Sequence, residues 1–232
     1  NAKGEYIAFL DHDDEWLPEK LERQIELFKN SLKKNLGFVG CNIMRIDLDN
    51  RKSSLYKISK TKNGLGDILK DCFVFTSSSV VVARGIFKDV GFFDENFKTS
   101  DDWDMWIRII KAGYAFDFVP NFLLRYYVHR DSIGGSATYL VRNRDLIILM
   151  SKYKNLYKKY IHAYDEQLRR IGHFYLLADR RTEARSYIKE AIKQDPFRFK
   201  AYVNLFLSFC SFNFYKKVIS FKRKLCGQSR KV

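Results

Sequence analysis

A short apolar run, Tyr6-Ile7-Ala8-Phe9-Leu10, breaks off abruptly into Asp11-His12-Asp13-Asp14-Glu15. An unbroken run of this length predicts a buried parallel strand. Open α/β sheets bind ligands at the carboxyl ends of such strands, so an acidic cluster there constrains fold and chemistry together. The next residues keep strand and helix alternating. Pro18 opens a helix with Leu21, Ile25, Phe28 and Leu32 on one face, ending near Gly37. Phe38 to Ile46 reads as a second strand, and Asp47 to Lys52 as a polar turn. Residues 53–66, with Gly64 and Gly66, have no clear period and are expected to form a mobile loop.

Phe73 to Val82 is a strand region interrupted by Thr76-Ser77-Ser78-Ser79, followed by a short helix from Arg84 to Val90. Gly91-Phe92-Phe93-Asp94-Glu95 reads as a turn. Ser100 is placed to cap a helix whose first turn holds Asp101, Asp102 and Asp104. Trp103, Trp106, Ile107 and Ile110 recur at helical spacing until Gly113 stops it. Tyr114 to Val119, ended by Pro120, and Leu123 to Val128 read as two further strands. The alternation defines an α/β domain.

Strand signals stop near residue 138. The expected organisation is an α/β domain over 1–136 and a basic helical region over 137–232, with the boundary in Ile133-Gly134-Gly135-Ser136. Charge follows the same division. Residues 1–138 hold 20 Lys/Arg and 20 Asp/Glu, whereas 139–232 hold 22 and 7, which accounts for the whole net charge of +15. Such a segment attracts phosphates or simply forms a solvated lysine-rich surface. Gly172, Tyr175, Ala184, Ile188, Ala191 and Pro196 fall at the small, large and helix-ending positions of one tetratricopeptide repeat, or of a plain helical hairpin. The last helix sets Phe214, Val218, Phe221 and Leu225 against Lys216, Lys217, Lys222, Arg223 and Lys224. That pattern suits peripheral contact with an anionic membrane, or an apolar stripe docked on the protein. No nucleic-acid motif accompanies it. Cys41, Cys72, Cys210 and Cys226 lack the spacing of a zinc site or disulfide framework and read as reduced thiols of a cytoplasmic protein.

Carboxylates grouped at a strand end repel one another unless a cation lies between them. Mn²⁺ or Mg²⁺ suits Asp11, Asp13 and Asp14, bound by one or two carboxylates plus diphosphate oxygens. The competing reading is a solvated acidic turn. Asp101 and Asp102 begin a helix directed at the same sheet edge, where a carboxylate can take a proton from an attacking hydroxyl. Dipole complementarity alone also favours acids in a first helical turn. His129 follows an apolar strand and is a metal-ligand candidate or an ordinary side chain.

The run from Ala2 to Asp14 resembles the metal-binding segment of family 2 glycosyltransferases, which have the GT-A fold. Ser77 to Glu95 resembles their acceptor-side segment, and Ser100-Asp101-Asp102-Trp103-Asp104 their catalytic-base helix, with Asp101 where Glu is usual. Tyr126 to Ser132 is similar to their closing His and Ser segment. The resemblance implies donor contacts from Asp11, Asp13 and Asp14, metal coordination by Asp13 and His129, and Asp102 as general base beside Asp101. It sets Trp103, Ser78 and Ser79 on the acceptor side. It implies inverting transfer from a nucleotide-diphosphate sugar to a saccharide or lipid-linked acceptor in polysaccharide or glycolipid synthesis, at the inner face of the plasma membrane. The family's nucleotide-binding first half is not in this sequence, so residues 1–232 alone are expected to be inactive. A haloacid-dehalogenase-like phosphatase also places Asp-x-Asp after a strand, but its downstream motifs are missing. The non-enzyme alternative is a scaffold that binds partners through its helical tail.

Overall fold

The computed structural model describes residues 2–58, 64–128 and 136–228, with backbone only at 136–138 and 222–228. The chain divides into two compact units, residues 1–133 and 134–232. The first is α/β and the second is helical, as the alternation and its loss require.

The first unit is built on β1 (Tyr6–Ala8), β2 (Glu15–Trp16), β3 (Leu36–Asp47), β4 (Lys52–Tyr56), β5 (Val81–Ala83) and β6 (Ala115–Val128). The strand order is β1-β5-β3-β6-β2, with β4 also paired to β3. Among the described residues only β3 and β6 pair in parallel; β1–β5, β5–β3, β2–β6 and β3–β4 are antiparallel. The central strand β3 is buried continuously from Gly37 to Ile43. Val39, Cys41, Ile43, Val119, Leu123 and Leu124 form one core cluster across β3 and β6, each large apolar side chain contributing roughly 1.5–3 kcal/mol.

Four expectations are corrected. First, β1 is neither fully buried nor parallel. It is partly buried and pairs antiparallel with β5 alone, because it is outermost in the strand order among the described residues. Second, residues 52–56 form β4, folded back on β3 through a turn in which the Asp47 carboxylate accepts from the Asn50 backbone N–H at 2.9 Å. The rest of the expected loop includes residues 59–63, outside the described residues, and then α2 (Leu65–Lys70).

Third, Pro120 does not divide two strands. It lies within β6 at a register shift opposite Cys41–Asn42, and the Asn42 side chain donates to the Pro120 carbonyl at 2.7 Å. A proline cannot donate to the ladder, and a bulge removes the need. Fourth, the first helix, α1 (Lys20–Asn30), turns a different face inward. Lys20 and Gln24 are its buried residues, Leu27 and Phe28 pack beside the core, and Leu21 is exposed. Leu32 lies beyond the helix end and is fully exposed.

α3 (Ile86–Val90) precedes the Gly91 turn, and α4 (Asp101–Lys111) packs Trp103, Met105, Trp106, Ile107 and Ile109 inward. The backbone reverses at Gly113, whose φ of +89° is costly for any other residue. Ser100 stands at the start of α4, but its side chain makes no capping bond; its carbonyl accepts from Asp104 N–H.

The second unit comprises α5 (Ser136–Lys152), α6 (Lys154–Lys159), α7 (Ile161–Leu177), α8 (Arg181–Gln194), α9 (Phe199–Leu207) and α10 (Phe212–Gln228). α7 and α8 approach closely at Gly172, where an added Cβ would stand 2.7 Å from Ile188 Cγ1. Leu176, Ala184, Ile188, Leu207 and Tyr215 form one core cluster of this unit, with Val218 packed beside them. No described helix is long and apolar enough to cross a membrane.

Candidate active site

The acidic segment follows β1 as a tight turn in which Asp14 N–H bonds the Asp11 carbonyl at 3.1 Å. Ser78 and Ser79, already singled out, hold it together with Thr76, Trp16 and Gln24, which the sequence did not mark. Ser77–Ser79 is a 3₁₀ turn capped by Thr76. The Ser78 hydroxyl accepts from Asp11 N–H at 2.9 Å, and the Ser78 carbonyl accepts from the Trp16 indole N–H at 2.9 Å. Thr76 donates to Asp11 Oδ2 at 3.2 Å. The buried Gln24 amide donates both to Val39 O at 2.7 Å and to Ser79 O at 3.0 Å. One amide therefore ties α1, β3 and the serine turn together. Glu15 secures the far side through Arg125 at 2.6 Å and the Tyr127 hydroxyl at 2.8 Å.

Asp11 is exposed, while Asp13 and Asp14 are partly buried. Both oxygens of Asp14 are buried without a well-formed hydrogen bond. Burial pushes its pKa up to about 6, opposed by the nearby Ser78 hydroxyl and raised further by the charges of Asp11 and Asp13. Lys20 is buried within 4.4 Å of the Trp16 ring centre, and burial lowers its pKa to about 8.

The three first-turn acids of α4 have separate environments. Asp104 is fully buried and paired with Arg108 at 2.8 Å. Arg108 in turn donates to the carbonyls of Val90 and, at 2.8 Å, Phe92. That acid anchors the Gly91 turn. Asp101 and Asp102 are partly buried. The Trp103 backbone N–H donates to Asp102 Oδ1 at 2.6 Å. Burial and then the Asp101 charge drive the Asp102 pKa up to about 7, and Asp11 adds to the rise. Asp11, just after β1, therefore lies within electrostatic reach of Asp102 at the start of α4.

Ser78 and Ser79 are fully buried, with the Ser79 hydroxyl donating to Thr76 O at 2.7 Å. Trp103 is buried too, its indole N–H donating to Ile68 O at 2.7 Å. His129 lies outside the described residues. Among the described residues no three His, Cys, Asp or Glu side chains form a preformed metal cage. A diphosphate-borne Mg²⁺ needs none, since one or two carboxylates suffice beside phosphate oxygens. The orphaned Asp14 oxygens and the hard-oxygen donors at 11–14 suit such an ion.

The family described as "Glycosyltransferase like family 2" matches residues 1–194, and the chain belongs to the family 2 glycosyltransferases. It is 31% identical over 162 residues to the glycosyltransferase MJ1057 of Methanocaldococcus jannaschii, covering 68% of this chain and 50% of that protein. The amylovoran biosynthesis glycosyltransferase AmsB of Erwinia amylovora is 27% identical over 133 residues, 55% of this chain and 43% of AmsB. WfgD of Escherichia coli, named a UDP-Glc:α-D-GlcNAc-diphosphoundecaprenol β-1,3-glucosyltransferase, is 32% identical over 111 residues, 47% of this chain and 40% of WfgD. The chain thus spans about half or less of these relatives.

Proposed function

We propose that the full-length protein transfers a sugar from a nucleoside-diphosphate donor to a hydroxyl of a saccharide or lipid-linked acceptor, with inversion and with Asp102 as general base. The observation that supports this best is the burial of Asp102 beside Asp101 at the first turn of α4, within electrostatic reach of Asp11, with its pKa raised to about 7. A base poised near neutral pH combines a populated carboxylate with useful proton affinity. Asp101 keeps that proton affinity high by its charge. Asp11, Asp13 and Asp14 face the donor. In this reading Asp13 and His129 would hold a Mn²⁺ or Mg²⁺ ion, which would supply positive charge to offset that of the leaving nucleoside diphosphate. Trp103, Ser78 and Ser79 support the acceptor side from the interior. The helix pair α7–α8 is read as one tetratricopeptide-like repeat.

The names of AmsB and WfgD point to polysaccharide synthesis and to a UDP-sugar with a lipid-diphosphate acceptor as the first pair to try. A lipid-linked acceptor places the enzyme at the inner face of the plasma membrane. The test is nucleotide release by the full-length protein from a nucleotide-sugar panel with Mn²⁺, beside Asp13→Ala and Asp102→Asn. Loss of at least a hundredfold in each variant is expected, and residues 1–232 alone should release almost none. Full activity of Asp102→Asn would overturn the assignment of the base. No release with any donor would favour a scaffold working through the helical unit.

A further inference from the structure

The second unit carries an apolar face that its own core does not use. In α9, Phe199, Tyr202, Val203 and Phe206 recur at i, i+3, i+4 and i+7, the spacing of a single helix face, and all four are exposed. The opposite face supplies Ala201, with Leu207 also turned inward and the adjoining Ser208 fully buried. Phe197 before the helix is 96% exposed and Phe209 after it 64% exposed. Exposure on this scale, concentrated in one short segment, marks an interaction surface.

The surrounding charge identifies the partner. Asp195 is the last carboxylate in the chain. Residues 196–232 contain nine Lys/Arg, nine aromatic residues and no Asp or Glu. Lys200, Lys216 and Lys217 are exposed, and Lys216 lies over the Phe212 ring at 4.1 Å. A second copy pressed face to face would set like charge against like charge. Residues 1–138 have no net charge to complement this surface. A bilayer rich in anionic lipid satisfies both requirements, with phosphates for the lysines and an interfacial layer for the aromatic rings.

We propose that the α9 aromatic ridge with Lys200, together with the exposed Lys216 and Lys217 of α10 in the same unit, is a membrane-docking surface for anionic lipid. It deepens the reading of a lipid-linked acceptor, and rests on that reading for its purpose but not for its physics. It also moves the contact from where the sequence placed it. Val218 of the last helix packs beside the unit's own core, so the apolar stripe of α10 is partly spent inside.

The test is flotation of the 232-residue chain with vesicles of phosphatidylglycerol and phosphatidylcholine, against phosphatidylcholine alone. Binding to the anionic vesicles is expected, weakening steeply with salt. The double variant Phe199→Ser/Phe206→Ser should bind about tenfold more weakly with an unchanged circular dichroism spectrum, and Lys216→Glu/Lys217→Glu should do the same. Flotation undiminished by the Phe pair would overturn the ridge as the contact. So would absence of flotation at low salt, preferential binding of single-stranded RNA, or a dimer that the Phe pair dissolves. Sugar transfer is not the readout. A floating chain whose full-length form transfers nothing leaves this proposal standing and sinks the catalytic one, and the reverse result does the opposite.

Discussion

Helices α4 and α9 carry the same apolar spacing and bury opposite amounts of it. Trp103, Trp106, Ile107 and Ile110 stand at i, i+3, i+4 and i+7 in α4; Phe199, Tyr202, Val203 and Phe206 do so in α9. Trp106 and Ile107 are wholly buried, while Phe206 is 67% exposed. Periodicity establishes that a helix has an apolar face. It is silent on what covers that face, which depends on strands far away in the chain or on a partner outside it.

Stability measurements separate the two helices. Trp106→Ala should cost about 3–5 kcal/mol through lost burial and the cavity left behind, whereas Phe206→Ser should stay within about 0.5 kcal/mol. Urea unfolding of both variants checks the pair, and equal losses would mean that the α9 ridge is covered in solution. Asp104→Ala comes next, at roughly 3 kcal/mol, because it strips Arg108 of its buried partner. A loss below about 1 kcal/mol would show that the Gly91 turn is held by other contacts.

In α9 the corresponding anchor is polar. Arg185 reaches Ser208 through Oγ at 3.2 Å and the carbonyl at 3.0 Å, and stands over the Phe209 ring at 4.2 Å. Arg185→Ala should therefore cost about 1–2 kcal/mol in the same unfolding assay, although no α9 aromatic side chain has been changed.

The smallest effect depends on pH. Asp102 titrates from an ordinary value of 3.8 up to about 7 in the fold. The native state thus binds the extra proton, so this group's stabilising contribution is complete below pH 3.8 and disappears as pH rises through about 7. Asp102→Asn should flatten that part of the slope. Its urea midpoint should exceed the wild type's by the equivalent of about 1 kcal/mol at pH 8, the shift being discounted for partial exposure. Parallel pH profiles for the two proteins would refute the raised pKa.

The contrast between α4 and α9 also explains what was legible in the sequence. Asp11, Asp13, Asp14 and Asp102 stood out because carboxylates cluster beside apolar runs, and the helical pattern of α4 was plain. The division of labour among Asp101, Asp102 and Asp104 was not, since three adjacent acids look alike until Arg108 and the Gly91 turn pair with one of them. β4 went unseen because Lys52-Ser53-Ser54-Leu55-Tyr56 takes its order from pairing with β3 rather than from propensity. β6 was read as two strands because the bulge that admits Pro120 is formed against Cys41 and Asn42, far off in sequence. Gln24, fully buried, could not be singled out beforehand because its two carbonyl partners come from other elements.

That glutamine has a consequence for how the site behaves as conditions change. The acidic loop and the serine turn are fastened by an amide, an indole, the Ser78 hydroxyl and backbone groups, none of which titrates near neutrality. Asp14 and Asp102 change charge at about pH 6 and 7. Frame and charge are thus separately wired. Protonation, or arrival of a polyanion, can rewrite the electrostatics of this edge while the scaffold beneath keeps its shape.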